Sequence, residues 1–202
     1  MDPEQRCASG TDGDALRDAV RFPPPYAEQM RKQGVWNDDT VPRWLSRFAH
    51  ETPDKAAIVT ATEAISYRET FARAERLARA FTALGLRKGD VIAVQLPNVP
   101  ELMIVYFAAT MMGAVLAPIH MPYRAREMAP LLRHARARLA VCGPALADYM
   151  PAEAFLALRE TVASLAHVVV AGPAHRGTLS LRTLIEADWW QNLGWSIPGA
   201  PD

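Results

Sequence analysis

The 202-residue sequence predicts an α/β fold, a mainly parallel β-sheet flanked by helices. Four compact, mostly apolar runs carry the prediction: Val91 to Leu96, Ala114 to Ile119, Arg138 to Cys142 and His167 to Ala171. Helical segments near Pro100 to Met112, Ala125 to Ala135 and Ala152 to Leu165 lie between them. The starts of the four runs recur every 23 to 29 residues. That is the length of a strand, a crossover helix and two turns, whereas antiparallel neighbours need only a hairpin, so the spacing favours right-handed parallel crossovers.

Each element follows from local patterning. Residues 1 to 40 read as an N-terminal tail or extended arm, with poor periodicity, a Pro23-Pro24-Pro25 run before Tyr26, and Trp36 as an anchor. Thr40 can cap a helix that has Pro42 in its first turn and Trp44, Leu45 and Phe48 as its apolar face, with Thr52-Pro53-Asp54 marking its end. Ala56 to Thr60 and Ala64 to Tyr67 flank Thr62-Glu63 and predict a hairpin. Ser66 and Glu69 carry a capping-box signature, in which each side chain satisfies an orphan amide at a helix start. In the helix that follows, Tyr67, Phe71, Ala74, Ala78 and Phe81 recur at spacings of four, three, four and three, and Gly85 ends it. Glu75 and Arg79 form an i,i+4 pair on its exposed side. After the turn at Lys88-Gly89-Asp90 the alternating α/β pattern begins, and Leu181 to Ala187 is the last predicted helix. The organisation is therefore a tail (1–40), a helix, hairpin and capped helix (41–86), an α/β subdomain (87–188) and a closing tail (189–202).

Composition narrows the function. Half the residues are apolar and 22 basic residues balance 22 acidic ones, so no net charge draws the chain to nucleic acid or to an anionic membrane. Small-molecule or protein partners fit better. Leu102 to Ile119 is an uncharged run of 18 residues, the lower limit for a membrane span. Gly113 and Pro118 interrupt it, so it reads as a helix stopped by glycine and then a buried strand, with no membrane span. The polar, acidic start MDPEQRCASGTDGD lacks the apolar run of a secretory signal, and the expected location is cytoplasmic. Cys7 and Cys142 stand in unlike settings and read as free, reduced thiols. Dispersed histidines and cysteines without ligand spacing give no metal site.

Ligands of a doubly wound sheet bind beyond the carboxyl ends of its strands. Four loops qualify: Pro97-Asn98, His120 to Tyr123, Gly143-Pro144 and Gly172 to Gly177. His120 follows its strand directly and has acid–base capacity, but no nearby nucleophile or carboxylate completes a constellation, so a structural hydrogen bond is the better reading. Gly172 and Gly177, around Pro173-Ala174-His175-Arg176, lack both GxGxxG and GxxxxGK(S/T) and read as a connection rather than a phosphate cradle. Arg124, Arg126, Arg133, Arg136 and Arg138 with His134 make an arginine-rich helix and its exit, which could contact phosphate or a coenzyme, but spacings of seven and three place Arg126, Arg133 and Arg136 mostly on a solvated face. Met103, Met111, Met112, Tyr106 and Phe107 can line an acyl pocket, though core packing is their usual role. Trp189, Trp190 and Trp195 need a partner surface or promote association.

Two short stretches bear a family resemblance. Ile65-Ser66-Tyr67-Arg68-Glu69 resembles the "(L/I)(T/S)Yxx(L)" helix entry, and Met112-Gly113-Ala114-Val115-Leu116-Ala117-Pro118 resembles the "xxGAxxxP" helix-to-strand turn, of the adenylate-forming superfamily of acyl-CoA synthetases, adenylation domains and luciferases. The run Tyr26 to Trp36 is similar to the lead-in of some short- and medium-chain or cyclic-acid CoA ligases. The resemblance implies an enzyme that condenses a carboxylic acid, such as a fatty acid, with ATP to an acyl-adenylate and passes the acyl group to coenzyme A, with Mg²⁺ and basic groups stabilising phosphate charge. Yet the TSGTTG-like phosphate loop, the YGxTE-like and TGD segments, the hinge and the mobile domain with its catalytic lysine are absent from these 202 residues. No catalytic, cofactor-binding or metal residue is therefore assigned. The expectation is an N-terminal portion that binds no cofactor and is inactive alone. The alternatives are a non-enzymatic interaction module, or one half of a split ligase whose partner polypeptide supplies the C-terminal portion. The resemblance also implies an incomplete second sheet beside residues 41 to 86, which would leave Phe71 and Phe81 partly exposed, and a tail at 189–202 leading toward the phosphate loop.

Overall fold

The structure, a computed structural model, describes residues 22–37, 39–145, 148–174 and 176–186. The expectations for Cys7, His175, Ala187, Trp189, Trp190 and Trp195 lie outside the described residues. Contacts divide the chain into two units, Met1–Thr40 and Val41–Asp202.

In the first unit, Pro24–Lys32 forms helix α1 where the sequence suggests an extended arm. The proline run does not prevent this, because proline in the first turn gives up only an amide that has no intrahelical partner. The helix is nine residues long and buries none of its residues. Lys32 pairs with Glu28 at 2.8 Å. Trp36 lies edge-on to both Phe22 and Tyr26, with ring centroids 5.1 and 5.8 Å away.

The second unit begins with helix α2 (Val41–Glu51), which buries Pro42 and Leu45. Trp44, expected on the apolar face, is half exposed. The inward stripe runs instead through Pro42, Leu45 and the half-buried Phe48, whose ring meets Tyr67 at 5.3 Å. Strands β1 (Ala56–Val59) and β2 (Ala64–Ser66) form an antiparallel hairpin with Ile58 opposite Ile65. The hydroxyl of Thr60 accepts from the amides of Thr62 and Glu63 and closes its turn. Helix α3 (Tyr67–Ala83) follows directly. The Ser66 hydroxyl accepts from the Glu69 amide as the capping signature predicts, while the Glu69 carboxylate pairs with Arg73 one turn on.

Among the described residues the main sheet has five parallel strands in the order β4-β3-β5-β6-β7: β3 (Val91–Gln95), β4 (Val115–Pro118), β5 (Ala137–Cys142), β6 (His167–Val170) and β7 (Leu179–Ser180). Helices α4 (Pro100–Met112), α5 (Ala125–Ala135) and α6 (Pro151–Arg159) make the crossovers, and α7 (Leu181–Glu186) follows β7. The uncharged run that begins at Leu102 thus divides between α4 and β4, with Gly113 at φ 70° taking the left-handed conformation that stops the helix. No helix among the described residues is long and apolar enough to cross a membrane.

Side-chain alternation along each strand builds two cores. Ile92, Val94, Leu139, Val141 and Val169 face α3, α4 and α7, with Phe81, Ile104 and Leu181 among the packed side chains. Ala93, Ala140, Cys142, Val168 and Val170 face α5 and α6, with Met128, Leu132 and Phe155. Phe71 keeps some exposure, but Phe81 is fully buried, which corrects the expectation that it too would be left partly open. Helix α3 packs along α4 and α7, and that contact, rather than a second sheet, covers Phe81. The Glu75–Arg79 pair, expected on an open face, is half-buried at 2.9 Å. Helix α6 ends at Arg159, short of the expected Leu165. Val162 and Leu165 continue the inward spacing after Leu158 from turns, with the Val162 amide bonded to the Leu158 carbonyl, so the apolar period outlasts the helix.

Candidate functional site at the carboxyl edge of the sheet

Because all five strands of the main sheet run the same way, the loops after β3, β4, β5 and β6 emerge along one edge. Chain connections part between the adjacent strands β3 and β5: β3 leads outward to β4 across one face, and β5 leads to β6 across the other. A crevice for ligands is expected at such a switch point. Here the last residues of the two strands, Gln95 and Cys142, stand side by side.

Gln95 is completely buried, an unusual setting for an amide side chain, and its bonding explains it. Its Nε2 donates toward the carbonyls of His120, Met121 and Tyr123, at 3.2, 3.5 and 3.0 Å. Its Oε1 accepts from the Tyr149 hydroxyl at 3.1 Å. Arg124 reaches the same segment from outside, with Nη1 donating to the carbonyls of Met121, Pro122 and Tyr123 at 3.0 to 3.1 Å. Its guanidinium lies 3.9 Å from the centre of the Tyr149 ring, within cation–π range. Burial pushes the Tyr149 phenol above its ordinary pKa, against the pull of the adjacent guanidinium. At the start of α5 the Glu127 carboxylate accepts from the Arg124 amide at 3.0 Å, and the amides of Arg124 and Glu127 hold that carboxyl below its usual range.

Of the residues weighed from sequence, His120 is exposed and lies edge-on to Tyr123, with ring centroids 5.6 Å apart. Its carbonyl, not its ring, supplies the bond to Gln95. Arg126, Arg133, Arg136 and Arg138 are exposed; Arg124 is exposed as well but is tied into the network around Gln95. Met111 and Met112 are in the core and Met103 is partly exposed. After β6, the Gly172 carbonyl accepts from the Ser180 hydroxyl, tying that loop to β7. Sequence reasoning misses Gln95 and Tyr149 altogether. A lone glutamine ending an apolar strand run is the one available signal, because a buried amide must find partners.

On the α4 side the same edge opens into a groove of about 870 Å³. Ala72, Ile104 and Leu181 contribute apolar surface, and Arg73, Arg76 and Glu101 are among its charged lining residues. No three His, Cys, Asp or Glu side chains among the described residues are grouped to hold a metal ion.

Cys142 is fully buried beside Gln95, and burial pushes its thiol up to about 12. The unfolded thiol ionises near about 8.5. The folded state keeps its proton longer, so the stability this thiol permits is fully present below that value and falls as pH rises toward 12. Native protein at about pH 8.5, where half the unfolded thiols are ionised, should accept iodoacetamide at Cys142 far more slowly than urea-unfolded protein, as read by mass spectrometry of the Cys142 peptide. Equal rates would contradict the burial.

Comparison with known proteins identifies the fold. The model of the AMP-binding enzyme family matches residues 45–194, which takes in most of α2, the hairpin and all five strands of the main sheet. The chain belongs to the AMP-binding enzyme family. It is 30% identical over 159 residues to the 2,3-dihydroxybenzoate-AMP ligase of Bacillus subtilis, covering 79% of this chain and 30% of that protein. It is also 30% identical over 168 residues to the 2-hydroxy-7-methoxy-5-methyl-1-naphthoate–CoA ligase of Streptomyces carzinostaticus, covering 83% of this chain and 30% of the relative. Among solved structures, apo MbtA of Mycobacterium smegmatis superposes with a TM-score of 0.76 at 26% identity, over 91% of this chain and 33% of that one. This AMP-binding-family chain therefore spans about a third of the length of the relatives it matches.

Proposed function

We propose that this chain is the leading scaffold of an adenylate-forming ligase, which joins a carboxylic acid to ATP with release of pyrophosphate and then transfers the acyl group to a thiol. One observation carries the reading: the family match from 45 to 194 takes in all five strands of the main sheet found among the described residues. Adenylation makes chemical sense of the division of labour, since it replaces a poor leaving group with AMP and requires phosphate-binding groups of the kind a TSGTTG-like loop supplies, a motif this sequence does not contain. In this reading those groups come from downstream residues or from a second polypeptide, the acyl acceptor is coenzyme A, and the location is cytoplasmic. The names of the two aryl-acid relatives favour an aromatic carboxylate over a fatty acid as the substrate class.

Carboxylate-dependent ATP–pyrophosphate exchange tests this. The 202-residue chain alone is expected to show no exchange with benzoates or fatty acids. Joined in place of the matching segment of the Bacillus subtilis ligase, it is expected to support exchange with 2,3-dihydroxybenzoate. Exchange by the isolated chain would overturn the scaffold role. A folded but silent fusion, beside an active parent ligase, would overturn the ligase reading.

A further inference from the structure

We propose that Tyr149 locks two loops of the carboxyl edge into one conformational unit, so that the segment His120–Arg124 after β4 opens only when the Tyr149 contact after β5 is released. The proposal stands on geometry and is independent of the catalytic reading above. Tyr149 makes two contacts with the opposite loop's supports: its hydroxyl donates to Gln95 Oε1, and its ring carries the Arg124 guanidinium. Gln95 and Arg124 in turn grip the same stretch of backbone, Gln95 from the buried side and Arg124 from the solvent side. The circuit runs from Tyr149 to Gln95, to the carbonyls of residues 120–123, to Arg124 and back to the Tyr149 ring.

The polarity of Gln95 allows this circuit to close. Its amide nitrogen faces only carbonyl oxygens, and its amide oxygen faces a hydroxyl donor, so the flipped orientation would lose its bonds to the carbonyls. The carbonyls, which can only accept, therefore fix the amide orientation, and that orientation turns Oε1 to the Tyr149 hydroxyl, whose bond holds the amide in place against the β4 loop. Members of such a network in a poorly solvated setting reinforce one another, so removing one weakens the rest. What the locked segment presents at the edge is the exposed, edge-on ring pair of His120 and Tyr123. Gln95 and Tyr149 are positioning residues for that pair.

Amide hydrogen exchange of the full 202-residue chain tests the coupling. In Tyr149→Phe, which keeps the ring and removes only the hydroxyl, exchange in residues 120–124 should accelerate about fivefold, the factor expected for one ordinary hydrogen bond, while β3 and β5 amides keep their protection. Gln95→Leu should accelerate the segment more, and the double variant should be no faster than Gln95→Leu alone. If Tyr149→Phe leaves residues 120–124 at the wild-type rate, or if the two effects multiply, the loops are independent and the proposal fails. The mild Tyr149→Phe arm decides the matter even where Gln95→Leu does not fold.

Discussion

Phe81→Ala is expected to lower the unfolding free energy by about 3–5 kcal/mol, the range for truncating a buried phenylalanine. Phe81 is 0% exposed on α3, in the core formed with α4, α7 and one face of the main sheet. Truncation there removes the transfer energy of the ring and leaves a cavity that helices held from several sides cannot readily fill. Trp44→Ala serves as the contrast. Its ring is half exposed on α2, so the change should cost about 1 kcal/mol despite the larger side chain. Equilibrium urea denaturation of both variants, with unchanged slope, gives the comparison. A Phe81→Ala cost below about 1 kcal/mol would mean that α3 is not closed onto this core within the chain, and would restore the expectation drawn from the family resemblance.

That contrast also marks what is legible in the sequence. Strand runs such as Val91 to Leu96 and His167 to Ala171 are readable because a parallel strand covered on both faces must be apolar at nearly every position. Ser66 and Gly113 are readable because capping and the left-handed conformation depend on chemistry within a few residues. Helix α1 is not, because its short span opens on a proline run that reads as an extended arm. The partner of Phe81 is not, because which helix covers a face is decided by packing between segments that sequence periodicity treats separately. The edge network is the least legible part. Gln95 reaches residues 25 to 28 positions away and a tyrosine 54 positions away, and no local pattern encodes such pairings. Helical spacing speaks for Arg126, Arg133 and Arg136 but not for Arg124, whose position just before α5 gives it a different set of partners.

Gln95→Glu should expose the polarity of that network more sharply than any apolar replacement. The two side chains have nearly the same shape, but a carboxylate has no hydrogen to give to the carbonyls of His120, Met121 and Tyr123. One oxygen can keep the Tyr149 hydroxyl as a donor; the other would face carbonyl oxygens in a site with no solvent exposure. The nearby Arg124 guanidinium already uses Nη1 on carbonyls of this loop, and the buried Cys142 thiol offers little compensation. A buried, poorly paired charge costs about 3 kcal/mol or more, and the folded state lowers that cost by holding the proton. The folded pKa of the introduced carboxyl should therefore rise above the unfolded glutamate value of about 4.3. Below that value both states carry the proton and the penalty of the charge is absent. Between the two pKa values the native state binds more protons than the unfolded state, so stability falls as pH rises, and the loss is complete above the folded pKa. Unfolding free energies of wild type and variant from urea titrations between about pH 4 and about pH 8 should diverge progressively, by about 3 kcal/mol at the upper end. A constant difference across that range would show that position 95 is solvated or its loop free to turn away, and that the carboxyl edge is not held by a buried amide.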